Sequence, residues 1–403
     1  RGDTYGGRYG ERGEVELVNP LSAFRWWPDY LDVAGVKMRG IPEKQGWAFS
    51  RHGWLAAQED PSLDADAVGR AVRRQLRPLS APTLERTRAE YIRREVVQFP
   101  RYFIIEPNAS CNRKCVFCPI IVTNRKGNLK WPQFLKFVEE CGQHEVYGIS
   151  LYQLSEPMLW RGRDADGNRL DIADMVKASK DIGGFRAVNI STNGDADNLH
   201  RLLECDLDDL FISIDGTTAE VYDQNRPSTK ANDTGAFQRT IDRVMAFLEA
   251  KAVLGRPRPW TRLQIINNAL CASQIHEFIQ KWIAVPGVDD VLVKNLDGMT
   301  PWLDYSAVSK LESDIKMAKV ADMPCQHIYA IGSLTADGRW NACCHDARTE
   351  LTLEHANVDE MSFAEWWTGP YMQELRAEHE HGATRLPCRD CAERDPWLGG
   401  IVQ

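Results

Sequence analysis

Short apolar runs alternate with amphipathic segments over the middle of the chain, from about residue 102 to residue 295. The apolar runs have the length and composition of buried strands, and they lie at 102–106, 147–154, 187–191, 210–214, 263–267 and 291–293. Between them, apolar residues recur at steps of three and four, as in helices, over 131–143, 170–183, 198–205, 235–255 and 273–284. The alternation predicts an α/β fold of βα units on a parallel sheet, either open or closed into a barrel. In both cases the chemistry is expected in the loops after the carboxyl ends of the strands.

The two ends of the chain depart from this pattern. Residues 1–97 contain no cysteine and are interpreted as an N-terminal extension, rich in tryptophan at first and then helical in periodicity. After about residue 320 the pattern changes to a hairpin over 335–344 with Asp337-Gly338 as its turn, a helix over 360–382 and a closing Cys-x-x-Cys. The predicted domains are therefore 1–97, 98–319 and 320–403.

Composition narrows the class of protein. The chain has 403 residues, of which 43% are hydrophobic and 26% charged, so it can bury a core but is too polar for a membrane protein. Its 57 acidic and 49 basic residues give a net charge of −8, and no block of Lys and Arg stands out. We therefore expect no nucleic-acid partner, no membrane and a small or weakly charged substrate.

Eleven cysteines stand in tight groups separated by long gaps, which favours thiolate metal sites in a reducing, cytoplasmic compartment over disulfides. Cys111, Cys115 and Cys118 form a CxxxCxxC motif in the loop predicted after the first strand. Three thiolates leave one iron of a [4Fe–4S] cluster open, and an open iron can chelate a small molecule. The alternatives are a zinc site with a distant fourth ligand and a chance grouping of buried cysteines.

This motif, with Phe117 before its last cysteine, resembles the hallmark of the radical S-adenosylmethionine (SAM) superfamily. The resemblance continues at Leu154-Ser155-Glu156-Pro157, which corresponds to a Gly-Gly-Glu-Pro-like motif with both glycines replaced, and at the polar segments 191–194 and 213–216. It implies a partial (β/α)6 barrel, SAM chelated at an open cluster, and a flavodoxin- or ferredoxin-type electron donor. The SAM-binding residues that it implies are Phe117, Ser155, Glu156, Ser191, Asn193, Ser213, Asp215 and Arg226.

A second set of four cysteines lies in the C-terminal segment: Cys325, Cys343, Cys388 and Cys391. Four thiolates fill every coordination position that the protein has to supply, and their spacing fits either structural zinc or a fully ligated [4Fe–4S] cluster. The layout resembles the C-terminal module of radical SAM enzymes called SPASM, and more closely its shortened form called twitch, because only four cysteines are suitably placed. That resemblance implies one auxiliary [4Fe–4S] cluster. The layout is most similar to aminocyclitol and aminoglycoside-pathway dehydrogenases, dioldehydrases and epimerases of the butirosin and spectinomycin type.

Four further residues are candidates for the reaction itself. Cys271 and Cys344 are candidate hydrogen donors, since epimerases of this kind quench a substrate radical with a thiol. Lys294 and His345 are placed to bind or deprotonate a substrate hydroxyl. For each of them, a buried thiol or a solvated or structural side chain is the plainer alternative.

The resemblance leads to a functional hypothesis. A 5′-deoxyadenosyl radical takes hydrogen from a carbinol carbon of an aminocyclitol or aminoglycoside-type sugar, the hydroxyl loses its proton, and the auxiliary cluster accepts one electron. The enzyme is then a radical SAM oxidoreductase of antibiotic biosynthesis. The alternatives are an epimerase with a cysteine hydrogen donor, a maturase of ribosomal peptides, and a non-catalytic metal-binding protein.

Overall fold

A computed structural model describes residues 98–296, 303–306, 308, 325, 327–380 and 383–391, together with short strands between residues 8 and 51. Most of the predicted N-terminal extension, including its helical part at 52–97, lies outside the described residues. The predicted domain boundaries therefore stay predictions.

The strands follow one another as β1 (Arg8–Tyr9), β2 (Val15–Glu16), β3 (Tyr30–Val33), β4 (Val36–Arg39), β5 (Ile41–Glu43), β6 (Gly46–Ser50), β7 (Tyr102–Ile105), β8 (Gly148–Ser150), β9 (Gly162–Arg163), β10 (Arg169–Leu170), β11 (Ala187–Thr192), β12 (Asp209–Ser213), β13 (Trp260–Asn267), β14 (Asp290–Asn295), β15 (Ile331–Leu334), β16 (Arg339–Asn341) and β17 (Thr352–Asn357). The helices are α1 (Trp131–Gln143), α2 (Ile172–Asp181), α3 (Ala219–Asn225), α4 (Ala236–Val253), α5 (Ile275–Ile283), α6 (His327–Ala330), α7 (Phe363–Thr368) and α8 (Pro370–Glu380). Short 3-10 turns lie at Pro119–Val122, Pro157–Leu159, Leu199–Leu203, Ala272–Gln274 and Cys388–Asp390.

The centre of the described fold is one sheet in which β7, β8, β11, β12, β13 and β14 are neighbours in that order and all run parallel. Helices separate these strands along the chain, except that the helix predicted over 198–205 forms only the 3-10 turn Leu199–Leu203. The βα pattern that the sequence predicts is otherwise present, and the α/β fold is confirmed as a partial barrel. The six predicted strands all form. Their carboxyl ends share one edge of the sheet, so the loops that follow them meet there.

Both ends of this parallel sheet are extended. At one edge β6 pairs antiparallel with β14, and β5 pairs with β6. At the other edge β15 pairs parallel with β7, and β16 and β17 continue the sheet antiparallel. The predicted hairpin is thus part of the same sheet as the barrel strands, and its turn residue Gly338 has φ +82°, a conformation that favours glycine.

The prediction of one continuous helix over 360–382 is wrong. It is divided into α7 and α8 at Gly369–Pro370, because a proline inside a helix lacks the amide hydrogen and clashes with the preceding turn. Ser362 and Glu365 form a capping box at the start of α7, and Glu140 of α1 accepts hydrogen bonds from the Phe363 and Ala364 amides at 3.0 and 2.9 Å.

Aromatic rings join the C-terminal segment to the barrel. Phe363 of α7 contacts Phe103 of β7 at a centroid distance of 4.7 Å and Trp340 of β16 at 5.2 Å, and Phe103 contacts Phe137 of α1 at 5.1 Å. Burying one such ring contributes about 1.5–3 kcal/mol. This shared core fixes the C-terminal segment against the strand that precedes the first cysteine motif.

Candidate active site

The first cysteine motif lies in the loop that leaves the carboxyl end of β7. Two backbone hydrogen bonds hold it against the end of α3 and the residues that follow: Lys114 donates to the Pro227 carbonyl at 2.8 Å, and Val116 donates to the Asn225 carbonyl at 3.0 Å. The loop between the cysteines is therefore held by main-chain contacts that do not depend on its side chains.

Arg226 and Asp215 form a buried ion pair behind this loop. Arg226 Nε lies 2.5 Å from Asp215 Oδ2, and the Ile266 amide donates to Asp215 Oδ1 at 2.6 Å. The guanidinium also reaches Cys115 Sγ at 3.5 Å and lies 5.6 Å from the centre of the Phe117 ring. Asp215 thus orients a cation beside a cysteine sulfur, as residues behind metal ligands commonly do. The predicted contact of Asp215 with SAM stays a prediction.

A second buried ionic group supports the same loop and was missed by the sequence interpretation. The Arg113 side chain is fully buried and donates to Asp195 Oδ2 at 2.7 Å, and Asp195 also accepts from Arg239 at 2.9 Å and from Arg243 at 2.5 Å. Burial acts to raise the pKa of Asp195, yet the hydrogen bond from Arg239 and the nearby arginine charges lower it overall. No local motif pointed to this group, because its members come from three separate segments.

Glu156 connects the loop after β8 to the end of β11. Its carboxylate accepts from the Thr192 hydroxyl at 2.7 Å, from the Asn193 amide at 2.8 Å and from the Met158 amide at 3.1 Å. Burial raises the pKa of Glu156 although these donors act in the opposite direction. Asn193 in turn donates to Asn112 at 2.7 Å and reaches Cys111 Sγ at 3.8 Å. Glu156 therefore positions Asn193 against the cysteine loop.

Polar groups also face one another at the ends of β11, β12 and β13. The Gln264 amide donates to the Ser213 hydroxyl at 2.5 Å and to the Ser191 hydroxyl at 3.4 Å. Gln264 was not predicted, although it sits on a predicted strand. Ser155 Oγ is buried and has no hydrogen-bond partner within the described part of the chain, so it remains available to a ligand.

The donor set of the first motif fits an iron–sulfur cluster. Burial, with neighbouring carboxylate and cysteine charges as smaller causes, raises the pKa of Cys111, and burial followed by the charge of Cys115 raises the pKa of Cys118 to about 12. The sulfurs are thus close enough to influence one another, and they ionise at neutral pH only when a cation balances them. Iron bound by three thiolates meets that requirement and leaves a coordination position for SAM.

The fold also gathers the second cysteine set. Burial raises the pKa of the Cys388 thiol, and the next causes are the nearby Cys343 and Cys325. Cys391 closes the 3-10 turn that begins at Cys388, with its amide donating to the Cys388 carbonyl at 3.4 Å. These residues come from the turn after β16, from the chain two residues before α6 and from the end of the described chain, so the fold is needed to assemble them.

A chain of polar contacts joins the two cysteine regions. Arg125 follows the first motif and donates to Glu106 at 2.5 Å and to Gln153 at 3.3 Å, and Gln153 donates to the Cys344 carbonyl at 2.5 Å. Arg125 and Gln153 were not predicted, since each is an ordinary polar residue in a loop. Their contacts place the C-terminal cysteine segment directly against the loop after β8.

The remaining candidate residues lie in three different surroundings. Cys271 is buried in the core at the end of the loop after β13, and its thiol donates to the Ile266 carbonyl at 2.9 Å. Lys294 is half-buried near the end of β14 and stands opposite Gly46 of β6. Cys344 and His345 lie in the turn after β16, close to His327 of α6. Their predicted roles in the reaction stay predictions.

Within the described residues, no helix combines the length and the apolar composition required to cross a membrane.

Comparison with known proteins identifies one domain and one partial relative. Residues 325–392, which include the second cysteine set, match the SPASM iron–sulfur cluster-binding domain. A GTP 3′,8-cyclase of Limosilactobacillus fermentum is 31% identical over 129 residues, which is 30% of this chain and 35% of the relative, so the chain spans about a third of that protein's length.

Among solved structures, anSMEcpe with bound AdoMet (SAM) and a Cp18Cys peptide aligns over 74% of this chain and 87% of its own, with a TM-score of 0.50 and 14% identity, which shows a shared fold. BtrN in complex with AdoMet and 2-DOIA aligns over 73% of this chain and 93% of its own, with a TM-score of 0.44 and 15% identity. The SPASM match and the similarity to a GTP 3′,8-cyclase support the resemblance to radical SAM enzymes, and they support SAM and [4Fe–4S] clusters as cofactors.

Proposed function

We propose that this enzyme oxidises an alcohol of an aminocyclitol or aminoglycoside-type sugar by removing hydrogen from the carbinol carbon. The observation that carries the proposal is the contact chain Arg125–Gln153–Cys344, which joins the loop after the first cysteine motif to the second cysteine set. A radical oxidation needs two sites, one that starts the reaction and one that receives the second electron. The chain of contacts supports a fixed relation between two such sites.

Cys111, Cys115 and Cys118 would hold the SAM-binding cluster, and Cys325, Cys343, Cys388 and Cys391 would hold one auxiliary cluster. When bound, SAM and the clusters supply a 5′-deoxyadenosyl radical and an acceptor for the remaining electron. The protein's own contribution is to position the substrate and to exclude water.

The residues around the first motif have separate roles in this proposal. Arg226 balances the charge of the thiolates, since it lies 3.5 Å from Cys115 Sγ and is itself held by Asp215. Glu156 and Asn193 fix the loop that borders Cys111. Ser155, whose hydroxyl has no partner among the described residues, offers a hydrogen bond to SAM. Lys294 is the predicted group that binds the substrate hydroxyl or takes its proton.

The test is incubation of the reduced enzyme with SAM and a panel of aminocyclitols and aminoglycosides carrying deuterium at the carbinol carbon. Deuterium should appear in 5′-deoxyadenosine. A product lighter by two hydrogen atoms indicates a dehydrogenase, one lighter by a water molecule indicates a dioldehydrase, and one of unchanged mass indicates an epimerase.

A matched panel of peptides labelled at their α-carbons serves as the comparison. Label transfer from a peptide, with none from any polyol, would contradict the proposal and support a peptide maturase. An epimerase would also need a hydrogen donor, and in that case Cys271→Ala or Cys344→Ala should convert epimerisation into net oxidation.

A further inference from the structure

Three metal-binding side chains meet beside the second cysteine set: His327, Cys344 and His345. One ligand atom from each lies within 4.8 Å of the other two, and Cys344 Sγ is 3.8 Å from His327 Nδ1. His327 and Cys344 are 3% and 6% exposed, so bulk water does not separate these atoms. His327 was not a predicted site residue, and none of the cluster assignments above uses any of the three.

The fold forms this group from two elements. Cys344 and His345 are the central residues of a turn that the Asp346 amide closes on the Cys343 carbonyl at 3.2 Å. His327 begins α6, which leads directly into β15, and its ring stands edge-on to that of His345 at a centroid distance of 5.1 Å. The turn presents two consecutive side chains, and the helix brings the third toward them.

The distance between Cys344 Sγ and His327 Nδ1 suits two ligands of a tetrahedral ion. Zinc bonds of about 2.3 Å to sulfur and about 2.1 Å to nitrogen put the two ligand atoms roughly 3.6 Å apart. The observed 3.8 Å between Cys344 Sγ and His327 Nδ1 is close to that value. One thiolate and two imidazoles also form a donor set that favours zinc, since magnesium and calcium take oxygen ligands.

Neighbouring polar groups support the site from behind. Gln153 fixes the Cys344 carbonyl, and Arg125 holds Gln153. His345 Nδ1 and Asp346 Oδ1 are buried and have no hydrogen-bond partner among the described residues. A buried polar atom without a hydrogen-bond partner lowers the stability of the fold. A bound ion, or a water molecule attached to it, would give these two atoms a partner.

We propose that His327, Cys344 and His345 bind one zinc ion, separate from the auxiliary cluster, with a fourth position open to water or to a hydroxyl group. Cys343 is assigned to the auxiliary cluster because its charge acts on Cys388, although its thiol also contacts the neighbouring Cys344 thiol. Under this proposal Cys344 and His345 are metal ligands, which replaces their predicted roles as hydrogen donor and base. The inference concerns metal content and does not depend on the proposed substrate.

The experiment measures zinc and iron in the anaerobically reconstituted holoenzyme after exposure to zinc and removal of loosely bound metal. Wild type should retain one zinc per chain. Cys344→Ser and His345→Gln should each lower the zinc affinity at least about tenfold and leave the iron content unchanged. The matched controls Cys141→Ser, a buried thiol of α1, and His355→Gln, an exposed residue of β17, should retain zinc.

Cys388→Ala distinguishes the proposed site from zinc that has entered the auxiliary site. It should lose iron and keep zinc. If zinc is absent from wild type, persists in Cys344→Ser and His345→Gln, or is lost in Cys388→Ala instead, the proposal is wrong. A fall in iron in Cys344→Ser would also overturn it, since Cys344 would then be a cluster ligand. Cobalt substitution gives an independent readout, because a thiolate-to-cobalt absorption band should be present in wild type and absent in Cys344→Ser.

Discussion

The two cysteine regions are held in place by different interactions. Around the first motif, buried arginines are paired with buried carboxylates, as in Arg226–Asp215 and Arg113–Asp195. In the C-terminal region the comparable buried cation is Arg376. It donates hydrogen bonds to the Ile328 and Trp367 carbonyls at 3.0 and 2.7 Å and lies 4.4 Å from the centre of the Trp367 ring. Burial lowers the pKa of Arg376 to about 10.

This difference indicates how each region should respond to change. A buried ion pair contributes little net stability, yet removal of one partner leaves an uncompensated charge. When a cation bound to carbonyls and an aromatic face is removed, the groups left without a partner are neutral, so the cost is smaller than that of an unpaired charge. The first region should therefore be sensitive to single changes of charge, and the second should depend on packing and on many small contacts.

The largest effect should come from replacing Cys111, Cys115 and Cys118 together by Ala. We expect SAM cleavage to be abolished and the iron content to fall from about eight to about four per chain, because the second set would keep its own cluster. Iron analysis and 5′-deoxyadenosine formation measure the two effects, with Cys141→Ala as the control. Loss of all iron would show that the two regions do not assemble independently.

The next prediction compares the two buried arginines directly. Arg226→Met leaves the Asp215 carboxylate buried and unpaired, so it should lower the free energy of unfolding by about 3–5 kcal/mol. Arg376→Met leaves carbonyl groups unpaired and should cost about 1–3 kcal/mol. Denaturant unfolding measures both. Adding Asp215→Leu to Arg226→Met should recover part of the loss, and equal costs for the two single variants would contradict the comparison.

Glu156→Ala should weaken SAM binding by about tenfold, because Asn193 and Thr192 lose the acceptor that fixes the loop beside Cys111. Equilibrium binding of SAM to the reconstituted enzyme measures this effect. The control is Glu139→Ala, an exposed carboxylate of α1. Unchanged SAM affinity in Glu156→Ala would show that the segment Leu154-Ser155-Glu156-Pro157 does not correspond to the SAM-binding motif.

In the C-terminal region, Glu378 of α8 anchors the segment that leads to Cys388. Burial acts to raise the pKa of Glu378, but hydrogen bonds from Thr384 and Arg385 lower it to about 2 from the ordinary 4.5. The lowered pKa stabilises the fold above pH 4.5, and this contribution disappears as the pH falls through about 2.

Glu378→Gln should therefore cost about 1 kcal/mol at neutral pH once screening by solvent is allowed for, and the difference from wild type should narrow as the pH falls below 4.5. Glu374→Gln is the matched control, since Glu374 also pairs with Arg385 but is 71% exposed. Denaturant unfolding over a pH series measures both variants. A difference that grows toward low pH would contradict the assigned direction of the shift.

The sequence predicted the strands and the cysteine groups because both are local signals. Apolar runs such as β11 and β13 predict strands from their own residues alone, and Cys111, Cys115 and Cys118 stand within eight residues. The break at Pro370 was also available from the sequence, since proline ends a helix.

The supporting residues were not predictable in the same way. Arg125, Gln153, Asp195, Gln264 and His327 are common polar residues, and each acquires its role from a partner far away in the chain, as Gln153 does from Cys344. One sequence contains no record of such long-range pairs. Hydrophobic periodicity therefore predicts the elements of this fold, and only the assembled chain shows which polar side chains support the site.

The smallest effect should come from the exposed ion pair that links the two regions, Lys136 of α1 with Asp359, at 2.9 Å. Both side chains are about half exposed, so solvent screens their attraction and Lys136→Ala should change the free energy of unfolding by no more than about 0.5 kcal/mol. Asp359 also keeps its hydrogen bond from Gln133 at 2.7 Å, which limits the loss further. Denaturant unfolding at low and high salt measures the effect. A cost above about 1 kcal/mol would mean that surface charge, and not the aromatic core around Phe363, holds the C-terminal region against α1.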